Sequence, residues 1–171
     1  MSDDPEYWYA ARTRANQELS LRNSLEKLKI THYLPTHILF RKVSDRVKRV
    51  EIPTIKNLIF IKTTKQNAYA IVKNYALKLY YIKNLDSTLL VVPEKQMIDF
   101  MCLMEYPGDI TLHCGDYFST GDRVRVIKGG FSGIEGELVR IEGRSHVLLR
   151  ISQVIAASVK IPKTYLRKIE S

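Results

Sequence analysis

Four histidines and two cysteines are the side chains of this chain best suited to chemistry near neutral pH. His32, His37, His113 and His146 fall in different expected elements and lack the spacing of metal ligands. Cys102 and Cys114 have no C-x-x-C spacing and read as ordinary reduced thiols. His113 beside Cys114 is the nearest approach to a catalytic dyad. Such a pair also needs a third group to orient the base, and none is apparent. No Gly-x-Ser-x-Gly, P-loop or His-Glu-x-x-His sequence occurs. Catalytic, metal and cofactor sites are therefore not expected.

Cations are the second kind of chemistry on offer. The 171 residues carry 27 Lys and Arg against 18 Asp and Glu, a net charge of +9. The excess is spread over both halves, which favours phosphate contact and speeds encounter with nucleic acid. The densest cluster is Lys42, Arg46, Lys48 and Arg49, around the turn signal Ser44-Asp45. It reads as the basic tip of a long β-hairpin, able to touch nucleic acid or a polymerase. The ordinary reading of the same charges is a solvated hairpin whose lysines protect its edges.

The elements that must carry these groups follow in chain order. Tyr7–Thr13 reads as a first, central strand. Asn16 reads as the cap of a helix with Leu21, Leu25 and Leu28 on one stripe. The segment from His32 to Glu51 supplies the hairpin. Lys56-Asn57 makes a turn with Ile55 exposed on it, just before the apolar strand Leu58–Ile61, which belongs in the middle of a sheet. A weak helical pattern runs from Thr64 to Asn74, and short strands follow at Leu77–Ile82 and Leu89–Val92. Pro93 then opens a helix with an apolar stripe of Met97, Phe100, Met101 and Met104. Tyr106–Ser119 has no period and reads as a linker.

Residues Gly121–Gly143 form a second informative stretch, GDRVRVIKGGFSGIEGELVRIEG. Its alternating Val124/Val126 and Leu138/Val139/Ile141 read as two strands about a glycine-rich loop. Phe131 and Ile134 sit apolar in that loop. They either plug a small barrel or meet a partner, and the plug is the ordinary reading. The stretch resembles a KOW motif through Gly121-Asp122, Val124 to Val126, Gly129, Phe131 and Gly136. Three further short strands complete the count expected of a small barrel.

The whole order resembles the NusG family of transcription factors. Trp8-Tyr9 matches that family's opening pair. Ile55 to Ile61 lies where the family carries a Phe-Pro-Gly/Asn-Tyr turn and apolar strand, with Ile, Lys and Leu replacing Phe, Pro and Tyr. Pro93 to Met97 is similar to the last-helix start of the UpxY antiterminators of capsular polysaccharide operons in Bacteroides. The resemblance implies an α+β fold. A NusG-like domain spans 1–106, an antiparallel sheet flanked by helices. A linker spans 107–118, and an SH3-like KOW barrel spans 119–171. It implies docking on the clamp helices of the large RNA polymerase subunit, which suppresses pausing or termination. Arg12, Ile55, Lys56, Asn57, Leu58 and Phe60 would make that contact. The barrel would bind a ribosomal protein or Rho through Phe131 and Ile134, and the factor could read non-template DNA or nascent RNA. The competing reading is a KOW-containing RNA-binding or ribosome-associated protein. No run approaches the roughly 20 apolar residues of a membrane span. The acidic start, MSDDPEYW, shows no secretory signal, so a cytoplasmic location and no membrane partner are expected.

Overall fold

The computed structural model describes residues 4–106, 109–113 and 120–170. The chain divides into two compact units, Met1–Val92 and Pro93–Ser171. The first contains β1 (Glu6–Thr13), α1 (Glu18–Lys27), β2 (Thr31–Tyr33), β3 (Thr36–Val43), β4 (Arg46–Pro53), β5 (Leu58–Thr64), α2 (Lys65–Tyr75), β6 (Leu79–Tyr81) and β7 (Val91–Val92).

Its main sheet runs β2-β5-β1-β6, with β7 also on β1, and every pairing is antiparallel. The interior positions of β1 and β5 match their apolar sequences. Alternation sends Ala11, Ile59, Ile61 and Leu79 to one face, where Leu21 and Leu25 of α1 and Ile71 of α2 cover them. Burying each such aliphatic side chain contributes about 1.5–3 kcal/mol. Asn16 is not the cap of α1. It takes a positive φ of 61° in the preceding turn, a conformation asparagine tolerates, and Gln17 holds the cap position. α2 is capped by Thr64, whose hydroxyl oxygen accepts the Asn67 N–H at 3.2 Å.

β3 and β4 pair only with each other, over the full register from Thr36↔Pro53 to Val43↔Arg46. This ribbon stands outside the main sheet. A two-stranded hairpin is marginal alone, so its base must be held elsewhere. Arg22 of α1 does this, with Nη1 and Nη2 donating to Glu51 of β4 at 2.6 and 3.0 Å. The Thr36 hydroxyl donates to the same carboxylate at 2.7 Å.

The second unit contains α3 (Glu94–Glu105), β8 (Ile110–His113), β9 (Asp122–Val126), β10 (Glu135–Ile141), β11 (Arg144–Ile151), β12 (Ile155–Lys160) and β13 (Leu166–Lys168). Its antiparallel sheet is ordered β13-β9-β10-β11-β12-β8. Within the segment expected to be linker, Ile110–His113 is a strand paired to Ala156–Val159. Four residues are too short to display a period, which is why the pattern was silent. Residues 107–108 and 114–119, including Cys114 and most of the expected linker, lie outside the described residues.

Gly136 explains one motif position, because a Cβ there would lie 2.6 Å from the Leu148 carbonyl oxygen. α3 groups with this second unit, whereas the sequence placed it at the end of the first domain. Its buried residues are Met97, Asp99, Phe100 and Leu103, so Leu103 takes the place on the stripe expected of Met101 and Met104, which are only partly buried. The Gln96 side-chain carbonyl accepts the Ser152 N–H at 2.8 Å, and Asp99 accepts the Glu135 N–H at 3.2 Å. Lys95 donates to Asp99 and to the Gly133 carbonyl. Among the described residues, no helix is long and apolar enough to cross a membrane.

Candidate binding surfaces

The turn before β5 is tied at two points. The Thr13 N–H donates to the Asn57 carbonyl at 3.2 Å, and the Asn57 N–H donates to the buried Glu18 carboxylate at 2.9 Å. Asn57 adopts a positive φ of 60° to close the turn. This geometry turns Ile55 inward, to 6% exposure, and leaves Lys56 outside. The expectation of an exposed Ile55 is therefore corrected. Apolar residues at a turn go inside when the backbone is pinned against neighbouring elements. Leu58 and Phe60 are also fully buried strand residues.

Arg12 is exposed, and its register partners are Leu58 and Tyr80. Tyr80, which the sequence reading did not single out, is exposed beside it. Of the six residues expected at this surface, Arg12 and Lys56 present open side chains. Asn57 is half-buried, and its buried side-chain oxygen has no partner among the described residues.

The hairpin carries the second surface. Register partners share a face, and faces alternate along each strand. Phe40↔Arg49 and Lys42↔Val47 therefore lie on one face. Arg41↔Lys48 and Val43↔Arg46 lie on the other. The expected cluster is thus divided, with Lys42 and Arg49 on one side and Arg46 and Lys48 on the opposite side. Arg41 completes the second group and was missed. Parity counted from the Ser44-Asp45 turn would have found it. Phe40 is 71% exposed, unusual for an aromatic strand residue. At the hairpin base, hydrogen bonds from Arg22 and then Thr36 hold the Glu51 carboxyl at a pKa of about 2.

In the second unit, Ile134 is buried at 2% exposure, as the ordinary plug reading has it, and is not open to the partner contact also expected of it. Phe131 is half-buried, with its ring 4.8 Å from that of Tyr106. Tyr106 lies so close over Gly130 that a Cβ there would overlap its ring. On β9 and β10, Arg125 hydrogen-bonds Glu135 and holds that carboxyl below its usual pKa.

The histidines remain dispersed. His32 Nδ1 lies 2.7 Å from the Ile30 carbonyl, and His37 Nδ1 lies 3.2 Å from the Thr54 hydroxyl. His113 Nε2 lies 2.8 Å from the Ser158 hydroxyl, and burial, then the charge of His146, holds its pKa low. Among the described residues, no three potential ligands gather as a metal site.

An open cationic rim and a basic ribbon are carried on an antiparallel sheet backed by helices, which places the first unit among the α+β folds. The match to a family model fixes which one. The model described as NusG, transcription termination factor nusG, matches residues 6–101, more than half of the chain. The chain belongs to the NusG family of transcription factors, and membership implies a role in transcription elongation. Comparison with curated proteins gave no match. One similar solved structure is described as domain interaction in Thermotoga maritima NusG. It is 19% identical, with a TM-score of 0.45, covering 96% of this chain and 98% of the other. Another is described as the MjSpt4:Spt5 complex in conformation B. It is 18% identical, with a TM-score of 0.27, covering 96% and 97%.

Proposed function

We propose that this protein docks on RNA polymerase through its first unit, at the clamp helices of the large catalytic subunit, and reduces pausing or termination. The observation that carries the reading is the family match over residues 6–101, which spans the sheet bearing Arg12 and the turn bearing Lys56. These two cations, with exposed Tyr80, form a polar rim able to meet an amphipathic helix pair. The action is mechanical. A factor that prefers the elongating state of the clamp shifts the polymerase toward it by its differential affinity.

The second sheet is read as a KOW barrel on the Gly121–Gly143 stretch, with Phe131 as its contact to a ribosomal protein or Rho. The hairpin cations are read as contacts to non-template DNA or nascent RNA. The start of α3, Pro93 to Met97, supports a specialised paralogue acting at capsular polysaccharide operons.

The test is co-elution of the full chain with core RNA polymerase at low and high salt. Retention at low salt and weaker retention at high salt are expected, because exposed charges are screened. Replacing Arg12 and Lys56 together by Glu should weaken binding about tenfold or more, since like charge at a complementary rim is penalised. A folded chain that fails to co-elute at low salt overturns the docking reading.

A further inference from the structure

The two faces of the β3–β4 ribbon are chemically different. One carries Phe40 at 71% exposure and Val47 at 69%, with Lys42 and Arg49 in register opposite them. The other carries Arg41, Arg46 and Lys48 around Leu39 and Val43. Between Thr36 and Pro53 there are five basic residues against Asp45 and Glu51, and Glu51 is engaged by Arg22 and Thr36. Arg49 also feels the Glu51 charge, which is fixed at the base of the ribbon. The exposed part is therefore strongly positive, and its partner by charge complementarity is a polyanion.

An open phenyl ring on that positive surface narrows the class. Phe40 and Val47 together make an exposed apolar patch rimmed by cations, and such rimmed patches mark interaction sites. Bases of a single strand are flat and accessible, and their phosphates follow the cations alongside. Aromatic stacking with neighbouring basic residues is how single strands are held without sequence readout. A duplex keeps its bases stacked within and offers Phe40 no equivalent surface.

We propose that the Phe40 face of the hairpin binds single-stranded nucleic acid, with a base stacked on Phe40 and the backbone phosphates on Lys42 and Arg49. The proposal deepens the nucleic-acid part of the function given above. It assigns the contact to one face and to a stacking residue, and it requires no polymerase.

The experiment is fluorescence anisotropy of the full chain with labelled oligo-dT, oligo-U and a duplex of equal length, about 12 nucleotides, at about 50 and 200 mM salt. Single strands should bind more tightly than duplex. The relative affinity of dT and U distinguishes DNA from RNA as the preferred strand. Phe40→Ala should weaken single-strand binding about tenfold, with little change in salt dependence. Lys42→Gln with Arg49→Gln should weaken binding and flatten the salt dependence. Arg41→Gln with Lys48→Gln, on the opposite face, should cost less. Unchanged affinity in Phe40→Ala, equal losses from the two cation pairs, or tighter binding of duplex would each overturn the proposal. Polymerase co-elution of the same variants separates the two readings. If Phe40→Ala loses polymerase but not oligonucleotide, the face is a protein contact and the stacking assignment is wrong. If the oligonucleotide results hold while the wild type fails to co-elute, only the polymerase reading falls.

Discussion

An aspartate at position 55 would place a carboxylate where only 6% of the native side chain reaches water. No basic partner is given to that position by the turn, whose hydrogen bonds are spent between Asn57, Thr13 and Glu18. Ile55→Asp should therefore destabilise the chain by about 3 kcal/mol or more, seen as a lowered thermal or denaturant midpoint. A midpoint equal to wild type would show the turn opening easily enough to solvate the new charge. By contrast, Lys56→Glu should leave stability within about 0.5 kcal/mol, because its side chain is already in water. The difference between these neighbours was not legible in the sequence. Both belong to a turn, and turns are usually exposed. Which side chain faces in is set by long-range bonds to β1 and α1 that no local pattern records. Leu58 and Phe60 carried two readings: the run of four apolar residues argued for burial, which the structure shows, against the docking contact also expected of them.

At the scale of elements, the hairpin depends on one bidentate clamp. Arg22 and Thr36 hydrogen-bond Glu51 and lower its pKa from the usual carboxylate value to about 2. A carboxylate with a depressed native pKa stabilises the fold above its unfolded pKa. That contribution fades as pH falls through the native value. The stabilisation from Glu51 should thus be complete at neutral pH and be lost between about pH 4.5 and 2. Because the pair is partly solvated, its size should not exceed about 1 kcal/mol. Glu51→Gln should flatten this acid dependence of stability, measured by denaturant unfolding across that window. An identical pH profile in the variant would remove the clamp from the account. The hairpin itself was legible, from alternation on both sides of Ser44-Asp45. Its anchor was not, because Arg22 lies far away in sequence on a helix face that reads only as solvated. β8 escaped for a different reason. Its four residues acquire strand character from pairing with β12, while their own sequence carries too little pattern to declare it.

At the scale of the whole molecule, packing groups α3 with the second sheet, while the family match over residues 6–101 takes in most of α3. The sequence pattern recognised α3 as an amphipathic helix and assigned it to the domain it follows. Its polar side accounts for its packing on the second sheet. Asp99 is buried, yet it is the side chain that accepts the Glu135 N–H, and Lys95 reaches from it to the Gly133 carbonyl. Gln96 holds the Ser152 N–H in the same way. These bonds satisfy backbone donors at the first residue of β10 and at the turn leaving β11. Removing one acceptor leaves a partly buried N–H unsatisfied, at a cost of about 1–3 kcal/mol. Asp99→Ala should therefore speed hydrogen exchange at the Glu135 amide and in the first turns of α3, and lower the stability of the second sheet. The Ser152 amide, still held by Gln96, should change less. Unaltered exchange at Glu135 would mean that Met97, Phe100 and Leu103 hold the helix alone, with Asp99 a bystander to the packing.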